Sequence, residues 1–191
     1  KTALVVGAGP LGLLAAALLR LRGVLTYVTD IVPEDSLKVH LVRDMGANYI
    51  DARQKTPREM VEVCCSATGN LDMILEAAGA ADTAVELINY MSRSSIYVMT
   101  GIPREKLSIK IDAAQLVRQI VRYNQVIVGS VNSNRRHFEM AIKDIPDISL
   151  KFGNMMNEMI THCFQLGDYK KAVTLDDKNH IKTVIEVEPW K

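Results

Sequence analysis

Residues 3–30 read ALVVGAGPLGLLAAALLRLRGVLTYVTD, which is an apolar run, three closely spaced glycines, a helical pattern and a second apolar run that ends in Asp30. The first run predicts a strand, residues 13–21 predict a helix, and residues 25–30 predict a second strand. Glycines at a strand-to-helix turn, followed by an acid at the end of the next strand, are typical of a dinucleotide-binding turn. The alternative is a glycine turn that binds nothing, but the flanking elements favour a nucleotide site.

The spacing of the three glycines has a chemical reason. Gly7 allows the tight turn out of the strand, Gly9 lets the backbone approach a pyrophosphate, and Gly12 lets the helix pack close to the sheet. Pro10 fits the first helical turn, where the helix needs no backbone donor. The N–H groups of that turn and the positive end of the helix then face the phosphates. The carboxylate of Asp30 is suited to accept hydrogen bonds from an adenosine ribose.

Composition limits the class of protein. The chain has 191 residues, of which 48% are hydrophobic and 24% charged, and its formal net charge is +1. These values are ordinary for a globular protein with a substantial core, and they provide no basic field for nucleic acid. The longest apolar run, residues 11–19, is too short for a membrane span and predicts a buried helix. We therefore expect neither a nucleic-acid nor a membrane partner.

We also expect no signal peptide, and the immediate entry into a strand suggests one domain of a longer protein.

The cysteines and histidines predict no metal site within the chain. Cys64, Cys65 and Cys163 are odd in number and lack the spacing of metal ligands. Reduced, mostly buried thiols are typical of a cytoplasmic protein, and the cytoplasm is the expected location. The histidines are also scattered, and each is interpreted as a core or surface residue; they are His40, His137, His162 and His180.

Six apolar segments alternate with helical patterns between residues 1 and 150. After the first two strands, further strands are predicted at 47–51, 71–79, 95–99 and 125–132, and further helices at 37–45, 57–69, 80–91, 112–123 and 137–145. Such alternation predicts an α/β fold, a Rossmann doubly wound sheet of six parallel strands. Pro146 is expected to end the last helix, so the nucleotide-binding domain is assigned to residues 1–150.

Residues 151–191 show a different pattern and are assigned to a second unit. A Met-rich helix is predicted at 154–160, a helix at 168–173 and a final strand at 181–187. The methionines of the first of these are interpreted as core packing. Within the first unit, the alternating residues 107–111 predict a short exposed strand.

Several stretches of the chain match the motifs of one enzyme family. They are GAGPLG at 7–12, EAAG at 76–79, TGIP at 100–103, VGSVNS at 128–133 followed by HFE at 137–139, and IKTVIE at 181–186. In these stretches the chain resembles the nucleotide-binding half of the zinc-dependent medium-chain dehydrogenases, and more narrowly the archaeal glucose dehydrogenases. The resemblance covers essentially the whole chain, and the motif after the sixth strand is its most specific part.

The resemblance implies that the chain is one part of a larger dehydrogenase. In this family the chain returns from the nucleotide domain to the catalytic domain, so residues 151–191 would belong partly to that domain. The catalytic zinc, its ligands and most sugar-binding groups would lie upstream of Lys1. The whole enzyme would transfer hydride from the anomeric carbon of an aldose to nicotinamide and give a lactone, with zinc polarising the substrate oxygen. No catalytic residue and no metal ligand is expected in the chain itself, which is expected to be inactive alone.

Matching positions imply where a nicotinamide dinucleotide would lie. Residues 100–102, 130 and 131 would line the nicotinamide pocket, and Asn132 would lie near the nicotinamide and hydrogen-bond a sugar hydroxyl. The alternative role for Asn132 is that of a strand-end residue that caps the next helix. With the glycine turn and the exit of the fourth strand, the candidate cofactor-binding residues are Gly7, Gly9, Pro10, Leu11, Gly12, Asp30, Ala78, Gly79, Thr100, Gly101, Ile102, Ser130, Val131 and Asn132.

The residues after the second strand bear on the choice of cofactor. Archaeal glucose dehydrogenases often carry Asn or Gly followed by arginines there, which suits a 2′-phosphate, whereas this chain has Asp30 followed by Ile31 and Val32. A carboxylate binds the ribose hydroxyls and repels a phosphate, so NAD is expected to be preferred to NADP. Lys38 or Arg43 could reach a 2′-phosphate instead, although basic residues on helix surfaces are usually only solvated.

Three alternative functions are consistent with the sequence. One is a sorbitol- or threonine-type dehydrogenase of the same superfamily. Another is a regulatory dinucleotide-sensing module, such as those that gate potassium channels, which would leave the residues after the sixth strand unexplained. The third is an interaction protein that has lost the cofactor, which the intact glycines and Asp30 disfavour.

The sixth strand is expected to lie at an edge of the sheet. An edge strand exposes unpaired backbone groups unless another chain covers them. In the resembled family this edge joins two subunits into one continuous sheet, so a homodimer or homotetramer is expected.

Overall fold

The computed structural model describes residues 1–104 and 108–188. In these ranges the chain forms a six-stranded parallel sheet and a separate two-stranded sheet, together with α-helices. The larger sheet contains β1 (Thr2–Val6), β2 (Leu25–Asp30), β3 (Asn48–Asp51), β4 (Met73–Glu76), β5 (Ile96–Met99) and β6 (Val126–Gly129). Its strands are connected by α1 (Pro10–Leu21), α2 (Leu37–Asp44), α3 (Pro57–Ser66), α4 (Ala81–Ile88) and α5 (Ala113–Tyr123).

The strands lie in the order β3-β2-β1-β4-β5-β6, and every neighbouring pair is parallel. The chain therefore winds outward from β1 to one edge, returns to β4 beside β1, and winds outward to the other edge. This is the doubly wound order of the Rossmann fold, with the reversal between β1 and β4. The predicted fold class and its six parallel strands are confirmed.

Apolar layers cover both faces of the sheet, as is usual for parallel sheets. Successive side chains of a strand point to opposite faces, so Val5 lies in one layer whereas Leu4 and Val6 lie in the other. The first layer includes residues of α1 and α2, and the second includes residues of α3 and α4. All of β1 is buried, so the glycine turn that follows it starts from the centre of the core.

One helix differs from its prediction. Helix α6 spans Arg135–Phe152 and continues through Pro146, where the sequence pattern predicts its end. A proline within a helix removes a backbone hydrogen bond and crowds the preceding turn. The second half of α6 is nevertheless held against α1, because Ile148 is buried in the first layer and Lys151 Nζ donates to the Arg20 carbonyl oxygen at 3.0 Å. These tertiary contacts outweigh the local cost of the proline, so the predicted helix end is wrong.

After α6 the chain forms a small unit around two strands. Helix α7 (Met155–Glu158) has a single turn, shorter than the predicted Met-rich helix. It is followed by β7 (Ile160–Gln165), a 3-10 turn, α8 (Tyr169–Val173) and β8 (Lys182–Glu186). Strands β7 and β8 pair in parallel. Met155 and Met159 are buried in the first layer, which confirms that they are core residues.

The predicted strand at 107–111 is not formed within the described residues. Residues 108–111 have no regular structure, and Leu107 lies outside the described residues. Alternation predicts which face of a strand is buried, but a strand also needs a neighbour for its backbone hydrogen bonds. Across residues 1–104 and 108–188, no helix combines the length and apolar character that crossing a membrane requires.

Candidate functional site

The carboxyl ends of β1 and β4 form a cleft where the strand order reverses. In doubly wound sheets this is the crevice that binds nucleotides. Two cavities of about 370 and 360 Å³ open along it and share Ala78 and Ala80. The first cavity is lined by the glycine turn and the end of β2, and the second by the exits of β4 and β5.

The three glycines of the turn have different surroundings. Gly7 has a φ of +101°, and a Cβ added there would lie 3.0 Å from the Ala78 nitrogen. A Cβ at Gly12 would collide with the carbonyl oxygen of Gly7. Gly9, in contrast, has an ordinary φ of −76°, and nothing lies within 4 Å of an added Cβ. The fold itself therefore requires Gly7 and Gly12, whereas the open space beside Gly9 is available to a ligand.

Helix α1 begins at the first cavity. Its N-cap residue, Gly9, lines the cavity, no side chain caps the helix, and its first turn contains no acidic residue. Pro10 takes the first helical position, as predicted, and Leu11 beside it is half exposed. Side chains therefore do not neutralise the N–H groups and partial positive charge at this helix end, which suits an anionic phosphate.

Asp30 ends β2 at the wall of the first cavity, and the backbone holds its carboxylate. Oδ2 accepts the Ala8 N–H at 2.5 Å, and Oδ1 accepts the Ile31 N–H at 2.6 Å. Asp30 therefore stabilises the glycine turn as well as lining the cavity. Since each carboxylate oxygen can accept two hydrogen bonds, one lone pair on each remains for a ribose hydroxyl.

The two basic residues proposed near this wall have different partners. Lys38, in α2, lines the first cavity together with Asp30. Arg43 instead pairs with Glu34, with Nη2 and Oε2 2.6 Å apart. The cavity wall thus carries one carboxylate and one ammonium group, and Lys38 is the better placed of the two basic residues to meet a 2′-phosphate.

The exits of β4 and β5 meet in a close backbone contact at the second cavity. Gly79 has a φ of +72°, and a Cβ there would lie 2.8 Å from the Ile102 carbonyl oxygen. A Cβ at Gly101 would collide with the Gly79 nitrogen. The Thr100 hydroxyl donates to a carbonyl oxygen of β4 at 2.7 Å. Ala78, Gly79 and Ile102 line the cavities, whereas Thr100 and Gly101 line neither.

The predicted site residues after β6 lie outside both cavities. The Ser130 N–H donates to a β5 carbonyl oxygen at 2.9 Å, Val131 is exposed, and Asn132 has a φ of +67°. Asparagine tolerates this left-handed conformation better than most residues. Asn134 rather than Asn132 caps α6, because the Asn134 side chain accepts the His137 N–H at 3.2 Å. The alternative role of Asn132 as the helix cap is therefore wrong.

Sequence reasoning does not single out Glu76 as a site residue. Glu76 ends β4, is 2% exposed, and accepts the N–H groups of Ala78 and Gly79 through Oε1 at 2.8 and 2.6 Å. The signal that could have identified it is an acid in an otherwise apolar strand, because a buried carboxylate requires hydrogen-bond partners.

The described residues bring together no group of three or more His, Cys, Asp or Glu side chains that could hold a metal ion. Burial raises the pKa of Cys64 to about 12, so this thiol is protonated and unreactive at neutral pH. His162, in β7, pairs with Asp177 at 3.0 Å, outside the cleft. The polar groups that the first cavity does offer are the N–H groups at the start of α1, the carboxylate of Asp30 and the ammonium group of Lys38.

A doubly wound sheet with a glycine turn at the switch point and an acid after the second strand defines a dinucleotide-binding domain of the Rossmann class. The family model described as glucose dehydrogenase C-terminus matches residues 1–187 of the chain. The chain belongs to this family, which confirms the family resemblance seen in its motifs.

Relatives of the chain are glucose 1-dehydrogenases. It is 35% identical over 187 residues to glucose 1-dehydrogenase 2 of Vulcanisaeta moutnovskia, and 36% identical over 190 residues to glucose 1-dehydrogenase of Thermoproteus tenax. Both alignments cover 98% of this chain, but only 50% and 51% of the two relatives. The chain thus spans about half the length of these relatives.

A solved structure is similar over the whole chain. It is the glucose dehydrogenase of Haloferax mediterranei in complex with NADP, Zn and gluconolactone, with a TM-score of 0.85 and 27% sequence identity. The match covers 100% of this chain and 52% of that one. In sequence and in fold alike, the chain thus matches about half of these relatives.

Proposed function

We propose that this chain is the cofactor-binding half of a glucose 1-dehydrogenase. The whole enzyme would oxidise an aldose at its anomeric carbon to a lactone by hydride transfer to nicotinamide. The observation that carries the proposal is the open space at Gly9 beside the uncapped start of α1, in a cavity that also contains Asp30. The family match, and the relative described with NADP, Zn and gluconolactone, support it.

A bound nicotinamide would supply the hydride acceptor, and the residues of this chain would hold it in place. The start of α1 would bind the pyrophosphate, Asp30 the adenosine ribose, and the exits of β4 and β5 the nicotinamide side. Ser130, Val131 and Asn132 lie outside the two cavities. Their proposed contacts with the nicotinamide, and of Asn132 with a sugar hydroxyl, therefore need the other half of the enzyme to close the cleft.

We also propose that NAD is preferred to NADP. The Asp30 carboxylate lies in the first cavity and would repel a 2′-phosphate, whereas Lys38 in the same cavity would attract one. The carboxylate has the stronger influence because two backbone N–H groups hold it in place, whereas a lysine side chain is flexible. The Haloferax relative is described with NADP, so NAD and NADP are the two cofactors to compare.

Calorimetric titration of the chain with NAD and with NADP tests both proposals. NAD is expected to bind more tightly than NADP. Asp30→Asn, which removes the charge and keeps the size, should weaken NAD and reduce the difference between the cofactors, whereas Lys38→Met should weaken NADP more than NAD. Binding of neither cofactor would contradict the proposed function. A lower dissociation constant for NADP would contradict only the preference.

The division of the chain is a further part of the proposal. We propose a nucleotide-binding domain at residues 1–150 and a segment at 151–191 that leads back to a catalytic domain. The separate sheet of β7 and β8 supports the division, although α6 runs on to Phe152. The described residues offer no metal cluster, and we propose that zinc and its ligands belong to the half of the enzyme that this chain does not span. Elemental analysis should find zinc in the whole enzyme and none in the purified chain.

The alternative functions have less support. The glucose dehydrogenase model matches residues 1–187, which favours the glucose branch over a sorbitol- or threonine-type enzyme. The match includes the residues after β6, and the function of a dinucleotide-sensing module would not account for these residues. The open space at Gly9 disfavours a protein that has lost its cofactor, and measured NAD affinity would exclude one.

We propose that the chain associates through the β6 edge into a homodimer or a dimer of dimers. Exposed valines lie on this strand and on the helix that precedes it: Val126 and Val128 of β6 are 45% and 40% exposed, and Val117 and Val121 of α5 are 61% and 70% exposed. None of the residues of α5 is buried. Exposed apolar side chains on an edge strand and on its preceding helix favour association with another chain.

Analytical ultracentrifugation tests the proposed association. The chain is expected to sediment as a dimer or tetramer, and Val121→Lys is expected to shift it towards a monomer. Leu150→Lys is the control, because Leu150 is 88% exposed but belongs to α6, which packs on α1. A monomer at high concentration of the unaltered chain would contradict the proposal.

We further propose a cytoplasmic location. The three cysteines are unpaired in the structure, and unpaired thiols are the ordinary state of cysteines in a reducing cytoplasm. Fractionation of cells that produce the whole enzyme tests this proposal.

A further inference from the structure

Glu76 is a buried carboxylate that forms no ion pair with the described residues. Its Oε1 atom accepts two backbone N–H groups, that of Ala78 at 2.8 Å and that of Gly79 at 2.6 Å. Hydrogen bonds to a charged acceptor are stronger than those to a neutral one. They are needed here, because a carboxylate that is 2% exposed has lost most of its hydration.

The same residue also binds the exit of β5. The Glu76 carbonyl oxygen accepts the N–H and the hydroxyl of Thr100, at 2.8 and 2.7 Å, and the N–H of Gly101 at 3.1 Å. The second carboxylate oxygen, Oε2, lies against Gly101, where an added Cβ would collide with it. The main chain and side chain of Glu76 therefore hold the exits of β4 and β5 together.

The loop that Glu76 holds is the wall between the two cavities. Ala78 and Ala80 line both cavities, and Gly79 lines the second. A dinucleotide bound across the switch point would place its two mononucleotide halves on the two sides of this wall. The adenosine side is formed mainly by the glycine turn and Asp30, whose hydrogen bonds do not involve Glu76.

We propose that Glu76 is a positioning residue for the nicotinamide half of the bound cofactor, an inference that rests on the proposed function. By accepting the N–H groups of Ala78 and Gly79, Glu76 holds Gly79 in its left-handed conformation against Ile102, and this contact forms the wall of the second cavity. Loss of the acceptor changes the second cavity most. Ala78 and Ala80 also line the first cavity, but the Asp30 hydrogen bonds that hold the glycine turn there do not involve Glu76.

Two ligands separate an effect on the nicotinamide side from an effect on the adenosine side. ADP-ribose lacks the nicotinamide ring, so the ratio of its dissociation constant to that of NADH measures how much the ring contributes to binding. Glu76→Met keeps the side-chain length and removes both acceptors, whereas Glu76→Gln keeps one acceptor. Gln125→Met is the matched control, because Gln125 is also buried, lines neither cavity and donates from Nε2 to the Met91 carbonyl oxygen at 2.8 Å.

Glu76→Met is expected to lower this ratio about tenfold through the loss of two charge-assisted hydrogen bonds, and Glu76→Gln about threefold. Gln125→Met is expected to lower the melting temperature and leave the ratio unchanged. If the ratio of the ADP-ribose and NADH dissociation constants is unchanged in Glu76→Gln, the proposal is overturned. This outcome remains decisive if Glu76→Met does not fold. An equal fall of the ratio in Gln125→Met overturns it as well. An unaltered chain that binds neither ligand would refute the proposed function, and this proposal with it.

Discussion

Alanine at Gly9 and alanine at Gly12 add the same methyl group at nearby positions, but the structure predicts different effects on stability. At Gly9 the methyl group enters open space, and the φ of −76° is ordinary for alanine. Replacing glycine by alanine at an unstrained site stabilises a protein by about 0.4–1 kcal/mol, because the unfolded chain loses freedom. At an N-cap, however, glycine is preferred to alanine, and this preference offsets the gain. Gly9→Ala is therefore expected to be about as stable as the unaltered chain.

At Gly12 the methyl group collides with the carbonyl oxygen of Gly7. Alanine is favoured over glycine within a helix by about 1 kcal/mol, but overpacking of a core costs about 1–3 kcal/mol. The obstructing atom belongs to the backbone of a turn with a φ of +101°, so α1 itself has to move, and the cost lies at or above the top of that range. A net loss of about 2 kcal/mol would lower the melting temperature by about 4–8 °C in a chain of this size.

For cofactor binding we expect the reverse: Gly9→Ala should have the larger direct effect on affinity, and Gly12→Ala the smaller. The methyl group at Gly9 takes the space through which a pyrophosphate approaches the start of α1, so Gly9→Ala should raise the dissociation constant of NADH about tenfold or more, or about 1.4 kcal/mol. Thermal unfolding by circular dichroism and calorimetric titration measure the two effects separately. Gly167→Ala is the control, since it also has open space but lies outside the cleft. Unchanged NADH affinity in Gly9→Ala, or full stability in Gly12→Ala, would refute the reasoning.

Two further predictions concern ionisable groups. Hydrogen bonds from Arg53 hold the pKa of Asp51 at about 2. The stability that they contribute is therefore complete above the pKa of an unfolded aspartate, about 3.9, and is lost as the pH falls towards the pKa of the folded chain. In urea unfolding between about pH 5 and 3, Asp51→Asn should lose less stability than the unaltered chain, and parallel curves would contradict this. Burial raises the pKa of Cys64 to about 12, so iodoacetamide at about pH 8 should label the exposed Cys163 in the folded chain and Cys64 only after unfolding. Mass spectrometry of the labelled peptides tests this, and equally fast labelling of both cysteines would contradict it.

The sequence by itself determined the doubly wound fold and the glycine turn with Asp30 at its side. The signals that predict both are patterns within short segments of the chain. Gly12 packs against Gly7 within the glycine turn, and the carboxylate of Asp30 accepts a hydrogen bond from the same turn. Turn glycines, the proline at the start of α1 and the apolar periods of strands and helices are local signals, so they can be interpreted without the tertiary structure.

Other features were decided only by the tertiary structure. Helix α6 passes through Pro146 because Ile148 and Lys151 pack on α1, which lies more than a hundred residues earlier in the chain. Glu76 joins the exits of β4 and β5, because separate connections of the sheet end at the same edge. A local pattern reports the preference of a few residues. Burial, close backbone contacts and the walls of a cavity depend on segments that meet only when the sheet has formed.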